Sequence, residues 1–377
     1  MRDLLRPACR ECLRRSWLLA ELSLMLDFRA SDRSRLMDLL RLEDRELIQA
    51  LAGRRRAELS ARHEQFVAAH SAGMNRSSTP TSLCRHSSAY PSALKEEPLA
   101  PWMLWCSSHG QEGLAALSNG AATVAIVGSP RPSDYGSEFA RSLARDLTSS
   151  GVTVVAALSD GIAAAALRGA AEGPHGAIAV MGGGLASSRS GRQRALRAQV
   201  ERSGYVVSEL PHDCSGRRWG AVAGERTLAL LAGLIVVVEA EVKTSDLGVA
   251  RLGEKLGRQV GAVPGRVTSP LSGGTHSLLM QGASLVRGAS DVFELLSLPI
   301  KCPEMPPVAG PIHLPEKLEP RLRAILEQVA IGRDTPERLS AGGLGAHEVL
   351  AALSELELMG LLGRGDGGRY LARHLNA

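Results

Sequence analysis

A short loop rich in glycine, serine and arginine, residues 128–136, is the segment of this sequence best suited to bind an anion. It follows a β-rich apolar run and precedes a helical stretch. A glycine at a strand end lets backbone N–H groups approach a phosphate, and the next helix adds its positive N-terminus. An ordinary strand-to-helix turn is the alternative interpretation. The candidate phosphate-binding residues of this loop are Gly128, Ser129, Arg131, Ser133, Tyr135 and Gly136.

A second glycine-rich loop, Met181–Leu185, ends another β-rich run and adds Gly182 and Gly184 as candidates. Parallel strands place their carboxyl ends along one crevice, so two such loops favour a shared phosphate site. A basic stretch follows, which contains five arginines and one glutamate. It could track a nucleic-acid backbone, or it could be a solvated helix face. Its arginines are Arg189, Arg192, Arg194, Arg197 and Arg202.

Other chemistries lack their motifs. Neither glycine loop has the Gly-x-Gly-x-x-Gly spacing of a dinucleotide site, and no Gly-x-x-x-x-Gly-Lys-Ser/Thr loop is present. Ser159 lacks the Gly-x-Ser-x-Gly frame of a nucleophile elbow. Cys9 and Cys12 form one close pair without a second pair or histidines at zinc spacing, which predicts a reduced pair without metal. We therefore expect a protein that is not an enzyme and binds no cofactor or metal.

The elements that must position the loops alternate between strand and helix. Short β-rich runs between residues 123 and 263 are separated by helical stretches, which predicts an α/β fold with a doubly wound, mostly parallel, Rossmann-like sheet. Leucines at helical spacing precede it, and three helices with a hairpin-like end follow it. The predicted organisation is an N-terminal helical domain (1–70, SAM/HhH-like), a linker (71–82), the Rossmann-like domain (83–296), a linker (297–319) and a winged-helix domain (320–377).

Composition limits the class of protein. The 377 residues are 44% hydrophobic, which is enough to bury a core, and the net charge of +5 favours a polyanionic partner. All but five of the 44 basic residues are arginine, which suits phosphate contacts but also follows from a GC-rich genome. The longest apolar run, Leu228–Ala240, is too short to span a bilayer, and no secretory signal is evident, so we expect a cytoplasmic protein without a membrane partner.

The order and spacing of these motifs resemble the DprA/Smf family of DNA-processing proteins, in the Rossmann-like SLOG superfamily. The resemblance covers about Tyr90 to Phe293. The segments that carry it are Tyr90-Pro91, Pro101–Trp105, Gly128–Gly136, Gly161-Ile162, Arg168–Ala170, Gly182, Gly184, Ser208–Pro211, Arg217–Trp219, Val236–Ala240, Gly257–Gly265 and Gly274–Ala283.

This resemblance implies a non-enzymatic protein that binds single-stranded DNA during transformation or recombination and helps to load a RecA-type recombinase. It also implies a homodimer. Phosphates would lie along the carboxyl ends of the strands, and the resemblance adds Gly161, Arg168 and Arg226 to the candidates above, with Arg192 to Arg202 extending the track.

Departures from the family pattern fall on the same face. Pro130 stands at the position of the family's loop arginine, next to Arg131, and Asp160 replaces another arginine. A carboxylate near phosphates turns attraction into repulsion of about 1–4 kcal/mol, depending on screening, so we expect weakened binding.

A diverged family member is therefore the alternative: it would bind a small phosphorylated nucleotide or act as a scaffold. The Pro-Gly-Gly-x-Gly-Thr-x-x-Glu loop of the superfamily's phosphoribohydrolases is absent. In the C-terminal domain, 344–359 carries only acidic charges, which favours a protein contact over reading of duplex DNA.

Overall fold

The computed structural model divides the chain into two compact units, Met1–Lys301 and Cys302–Ala377. We describe each unit by itself. The residues that the structure describes are 8–66, 81–88, 90–95, 97–107, 114, 117, 121–187, 190–242, 247–298, 318–330, 335–340, 345–365 and 369–372.

A nine-stranded sheet forms the centre of the first unit, in the order β1-β2-β6-β5-β4-β3-β7-β8-β9. The strands from β6 to β9 in this order run parallel, whereas β2 is antiparallel to both β6 and β1. The strands are β1 Thr81–Cys84, β2 Met103–Cys106, β3 Thr123–Val127, β4 Thr153–Ala157, β5 Ala177–Val180, β6 Tyr205–Ser208, β7 Leu234–Val237, β8 Gln259–Ala262 and β9 Ser284–Leu285.

The strand order creates a topological switch point at β3. The chain builds β4, β5 and β6 on one side of β3 and then returns to build β7, β8 and β9 on the other. The loops that leave β3 and β7 therefore diverge, and this is where ligands bind in open α/β sheets. The predicted doubly wound parallel sheet is confirmed.

Helices cover both faces of the sheet because its strands are apolar on both sides. Val124 and Ile126 of β3 belong to one buried cluster with helices α7 and α8, and Ala125 and Val127 belong to another with α10 and α11. The helices of this unit are α1 Arg10–Glu21, α2 Ser23–Arg29, α3 Arg33–Arg41, α4 Asp44–Leu51, α5 Arg56–Glu64, α6 Ser92–Lys95, α7 Asp134–Ser149, α8 Ile162–Ala170, α9 Gly191–Val200, α10 Arg217–Leu231, α11 Gly248–Lys255, α12 Gly273–Met280 and α13 Ala289–Leu295.

The N-terminal helices pack onto the outer face of α10, within the same compact unit as the sheet. Leucines of α1 to α4 share a buried cluster with Trp219 and Val222. Asp27 accepts a hydrogen bond from the backbone N–H of Trp219 at 3.0 Å, and Arg33 is bidentate to Glu225, with one N–O distance of 2.9 Å. The sequence assigned 1–70 to a separate domain, but the leucine-rich face of these helices closes on α10.

In its described residues, the second unit contains three helices and an antiparallel hairpin around its own buried cluster. This order is that of a winged helix. The described part of the predicted linker 297–319 is limited to residues 297, 298, 318 and 319. The elements are α14 Pro320–Ala330, α15 Pro336–Ser340, α16 Ala346–Leu358, β10 Leu362–Gly365 and β11 Arg369–Ala372.

Among the described residues, no helix has both the length and the apolar character that crossing a bilayer requires.

Candidate nucleic-acid interface

The loops leaving β3, β4, β5 and β6 all lie at one edge of the sheet, which we call the carboxyl edge, because these four strands are parallel. Each loop leads into a helix whose N-terminus is at this edge: α7, α8, α9 and α10, respectively. The predicted phosphate loops 128–136 and 181–185 are two of the four. Both loops therefore lie at the same edge of the sheet, as parallel strands require.

A carboxylate already occupies the anion position at the N-terminus of α7. Glu239, which follows β7 and is 5% exposed, accepts hydrogen bonds from the backbone N–H of Ser133 at 2.9 Å and from its hydroxyl at 2.6 Å. A Cβ atom at Gly136 would overlap this carboxylate, so the glycine is needed for the close approach. The backbone is tied in the same way, since Ser129 N–H donates to the Glu239 carbonyl at 2.6 Å.

Glu239 therefore does for this loop what a bound phosphate does in a nucleotide site. It neutralises the helix dipole and satisfies the Ser133 donors. Ser129 is buried, with its Oγ accepting from the Arg131 N–H at 3.1 Å. Gly128, Ser129, Ser133 and Gly136 thus stabilise the β3–β7 crevice from inside, and Arg131 is the basic residue of this loop and is exposed to solvent.

A Glu239→Ala variant tests this role directly. Loss of a charge-assisted acceptor from buried donors is expected to lower stability by about 1–3 kcal/mol. Added sulfate should then restore part of the melting temperature, because the vacated helix N-terminus is an anion site. Thermal melts with and without sulfate measure both effects, and Glu254→Ala on the exposed face of α11 is the control. An equal rise in melting temperature with sulfate in both variants would contradict this role of Glu239.

The other glycine candidates serve backbone packing. Gly161 has a φ of +75° and lies against the Ser129-Pro130 backbone. Gly184 lies against the carbonyls of Pro211 and His212, so a side chain there would collide with the loop after β6. Gly182 is exposed and lies beside the first turn of α10. These glycines hold neighbouring loops together at the carboxyl edge.

Arg226 lies in the interior, not at the edge. It is 4% exposed and makes a two-nitrogen ion pair with Glu209, which is 5% exposed and also accepts from the Thr227 hydroxyl at 2.7 Å. Among the described residues, the hydrogen bonds of the Arg226 guanidinium all go to this carboxylate. Releasing the guanidinium for a phosphate would leave the Glu209 charge buried alone. The sequence-based assignment of Arg226 to DNA is therefore corrected to an internal ion pair.

Helix direction also separates two other arginines from the edge. Arg168 is in the last turn of α8, six residues and about 9 Å along the helix axis from its start at the carboxyl edge. Arg202 follows α9 and precedes β6, so it lies at the opposite end of the sheet. Arg197 is paired with Glu201 at 2.9 Å. Of the predicted basic track from Arg192 to Arg202, the arginines in the first turn of α9 remain at the carboxyl edge. Arg189 lies outside the described residues.

Five exposed arginines remain in these four loops and at the starts of the helices that follow them, and we call them the edge arginines. They come after β3, at the start of α9 and at the start of α10, and none has a carboxylate within ion-pair distance among the described residues. Within these loops and first turns they outnumber the exposed carboxylates Asp134, Asp160 and Asp213. The edge arginines are Arg131, Arg192, Arg194, Arg217 and Arg218.

Arg217 and Arg218 were missing from the sequence-based set of site residues. Their signal was present, because Gly216 adopts a left-handed conformation with a φ of +62° immediately before α10, a glycine-to-helix transition like those of the other loops. In the sequence, Gly216 does not directly follow the strand, because the Ser208–Pro211 turn comes first. The glycine-to-helix transition is therefore not recognisable as the end of β6.

Tyr135 is the exposed aromatic group of the first loop. Its ring is 48% exposed and lies 6.1 Å from the Phe139 ring, and its hydroxyl donates to the Pro264 carbonyl at 3.4 Å. Burial, and then the Glu239 carboxylate, raise the pKa of the Tyr135 hydroxyl, so the side chain is neutral at physiological pH. An uncharged, exposed ring in the same loop as Arg131 offers a surface for base stacking.

Taken together, the fold and the edge define a doubly wound α/β protein of the Rossmann-like type, with a basic carboxyl edge instead of a glycine-lined nucleotide cradle. Residues 81–297 match the family model described as DNA recombination-mediator protein A, and the chain belongs to this family.

Similar proteins of known family support this family membership. The chain is 32% identical over 250 residues to protein Smf of Escherichia coli K12, covering 65% of this chain and 66% of that protein. It is 31% identical over 277 residues to the putative DNA processing protein DprA of Mycobacterium tuberculosis H37Rv, covering 71% and 68%, respectively. The matches thus span about two thirds of the length of these relatives.

Two solved structures share the fold. DprA from Streptococcus pneumoniae has a TM-score of 0.59 at 25% identity and covers 75% of this chain and 95% of its own. The DprA of Helicobacter pylori, whose structure was solved for its single-stranded DNA binding mode, has a TM-score of 0.50 at 23% identity, covering 59% and 98%. The latter likeness concerns the fold alone.

Proposed function

We propose that this protein binds single-stranded DNA along its carboxyl edge, without catalysis, through phosphate contacts from the edge arginines. The observation that carries the proposal is that these five guanidinium groups are exposed at one edge and make no ion pair with the described residues. Arginines held at a surface without carboxylate partners are available for bidentate phosphate contacts.

The edge suits a single strand better than a duplex. Phosphate contacts from short loops fix no base sequence, and Tyr135 supplies a ring on which an unpaired base can stack. The described part of the winged-helix unit opposes duplex reading, because the charged residues of α16 include Glu348, Glu355 and Glu357, and Glu355 is paired with Arg321 at 2.9 Å. A recognition helix would be basic.

The alternative of a small phosphorylated nucleotide is not favoured at the first loop. Glu239 occupies the position where the nucleotide's phosphate would lie, and its negative charge would repel the ligand. A strand that passes outside this carboxylate, over Arg131, avoids the repulsion.

The family resemblance extends the proposal to a downstream partner. A strand held by its phosphates on the edge arginines leaves its bases accessible, which is the form that a RecA-type recombinase must receive. We further propose that the protein is a homodimer and that it delivers single-stranded DNA to such a recombinase. A recombinase ATPase assay on strands coated with this protein tests delivery separately from binding.

Binding itself is tested by fluorescence anisotropy of labelled oligo-dT with the full chain across a range of salt concentrations. Five phosphate contacts predict a log–log slope of about −3.5, from roughly −0.7 per contact on single strands. A duplex of equal length should compete poorly. Absence of binding at low salt, or a slope near zero, would refute the proposal.

A further inference from the structure

Three sulfur atoms and one imidazole nitrogen meet near the start of α1, far from the carboxyl-edge loops in sequence. The groups belong to Cys9, Cys12, Cys84 and His86, and their ligand atoms all lie within 4.8 Å of one another. His86 Nδ1 is 3.2 Å from the Cys9 sulfur and 3.5 Å from the Cys12 sulfur. All three cysteines are free thiols in the structure.

Two rigid elements hold the four groups together. Cys9 is the N-cap residue of α1, with no side-chain capping bond, and Cys12 lies one turn further along, so both sulfurs are at the positive end of this helix. Cys84 ends β1, which pairs with β2 through the full length of both strands. The Cys-x-x-Cys pair thus comes from a helix and the Cys-x-His pair from a strand and its turn.

The turn that carries His86 is fixed by contacts on both sides. The Cys84 carbonyl accepts from the Ser87 N–H at 2.8 Å, which closes a β-turn over His86. Between the two ligands, the Arg85 N–H donates to the Trp102 carbonyl at 3.0 Å, and the Arg85 guanidinium lies 5.1 Å from the centre of the Trp102 ring. The histidine is exposed, but the backbone beneath it is held in place.

We propose that Cys9, Cys12, Cys84 and His86 form a structural zinc site. Zinc takes four ligands in a tetrahedron with bonds of about 2.0–2.3 Å, which places neighbouring ligand atoms about 3.4–3.8 Å apart. The distances from the His86 nitrogen to the Cys9 and Cys12 sulfurs, 3.2 and 3.5 Å, are close to this spacing, and all four ligand atoms lie within 4.8 Å of one another, so side-chain rotations of about 1 Å would complete the tetrahedron. Three thiolates and an imidazole suit zinc and exclude the oxygen-preferring Ca²⁺ and Mg²⁺. Four protein ligands leave no position open for a substrate, so the site is structural.

A disulfide explains the cluster less well. One bond between two of the cysteines would leave the third sulfur and the imidazole without a role, although both converge on the same point. Burial also differs along the set: Cys12 and Cys84 are buried, Cys9 is half-buried and His86 is exposed. A metal entering from the His86 side reaches all four groups.

Such a site would join the start of the first helix to the edge strand of the sheet. Cys9 and Cys84 are 75 residues apart in sequence, and a metal bridge over a long loop stabilises chiefly by limiting the unfolded chain. Zinc would therefore fasten the N-terminal helices to the antiparallel edge β1–β2, in addition to their contacts with α10.

The test uses the full chain, expressed with zinc and purified without chelator. Mass spectrometry of metals is expected to find one zinc per chain. Replacement by Co²⁺ should give a sulfur-to-cobalt charge-transfer band and the intense visible bands of a tetrahedral site. Both measurements are made on the natural sequence, so they do not depend on whether a variant folds.

Variants assign the ligands. Cys84→Ala and His86→Ala should lose zinc, and His86→Cys should retain it because a fourth thiolate replaces the imidazole. Cys214→Ala, at a buried free cysteine in another cluster, is the matched control and should keep one zinc. The proposal is overturned if the natural chain holds no stoichiometric zinc, if its Co²⁺ spectrum is octahedral, if intact mass shows these cysteines in a disulfide, or if the ligand variants retain the metal.

Discussion

Substitution of Arg226 by alanine is expected to destabilise the first unit by about 3–5 kcal/mol, because the Glu209 carboxylate would remain buried with the Thr227 hydroxyl as its remaining side-chain partner. Urea denaturation followed by tryptophan fluorescence measures this loss. Trp17, Trp102, Trp105 and Trp219 account for all four tryptophans and belong to the first unit, so the signal reports on that unit alone.

Two further variants separate the ion pair from other causes. Glu209→Gln combined with Arg226→Met removes both charges while keeping an acceptor for Thr227, and it should recover most of the lost stability. Arg202→Ala, at an exposed arginine, should change the free energy of unfolding by less than about 0.5 kcal/mol. If Arg226→Ala left stability unchanged and reduced DNA binding instead, Arg226 would be a phosphate ligand after all.

The parallel strands β3 to β8 could be predicted because each is an apolar run followed by a helix, whereas the two-residue strand β9 was not predicted. The runs that became β3 to β8 show this alternation, and burial on both faces explains their composition. The strands β1 and β2 were not predicted, because they lie outside the alternation of apolar runs and long helices: the described helix between them, α6, has four residues. They pair antiparallel and extend the sheet at one edge.

The candidate site could be predicted only as far as the loops. The motif pattern located the strand ends, but it could not tell whether an arginine would point out or in. Arg131 and Arg226 look equally suitable in the sequence, yet the first is exposed and the second is bound by Glu209, which is 17 residues away. The position of Glu239 at the α7 N-terminus depends on strands β3 and β7 being neighbours, which the spacing of motifs along the chain does not show.

The cysteine cluster shows the same limit more clearly. Cys9 and Cys12 have the spacing of half a zinc site, and no second half was predicted because Cys84 and His86 are separated by a single residue and lie more than 70 residues downstream. Only the packing of α1 beside β1 and β2 brings the two halves together.

Substitution of Arg131, Arg217 and Arg218 together by alanine is expected to weaken binding of oligo-dT by about 100-fold at 0.1 M salt, relative to the natural chain. The affinities of the two proteins should converge near 1 M salt. Each lost phosphate contact removes about 0.7 from the log–log salt slope, so three losses should reduce it from roughly −3.5 to roughly −1.4. Anisotropy titrations at four salt concentrations measure both quantities, and the loss should be alike for every base sequence.

The control for this variant keeps the net charge equal and changes only the place of the loss. Arg168→Ala, Arg202→Ala and Lys255→Ala remove three exposed positive charges away from the first turns at the carboxyl edge: Arg168 and Lys255 are in the last turns of α8 and α11, and Arg202 follows the end of α9. If the affinity depends on the net charge of the molecule, both triple variants will lose affinity equally, and the edge arginines are not the phosphate contacts. If it follows local phosphate contacts, the control will keep its slope, because a positive charge beyond a Debye length of about 8–10 Å contributes little to a screened contact.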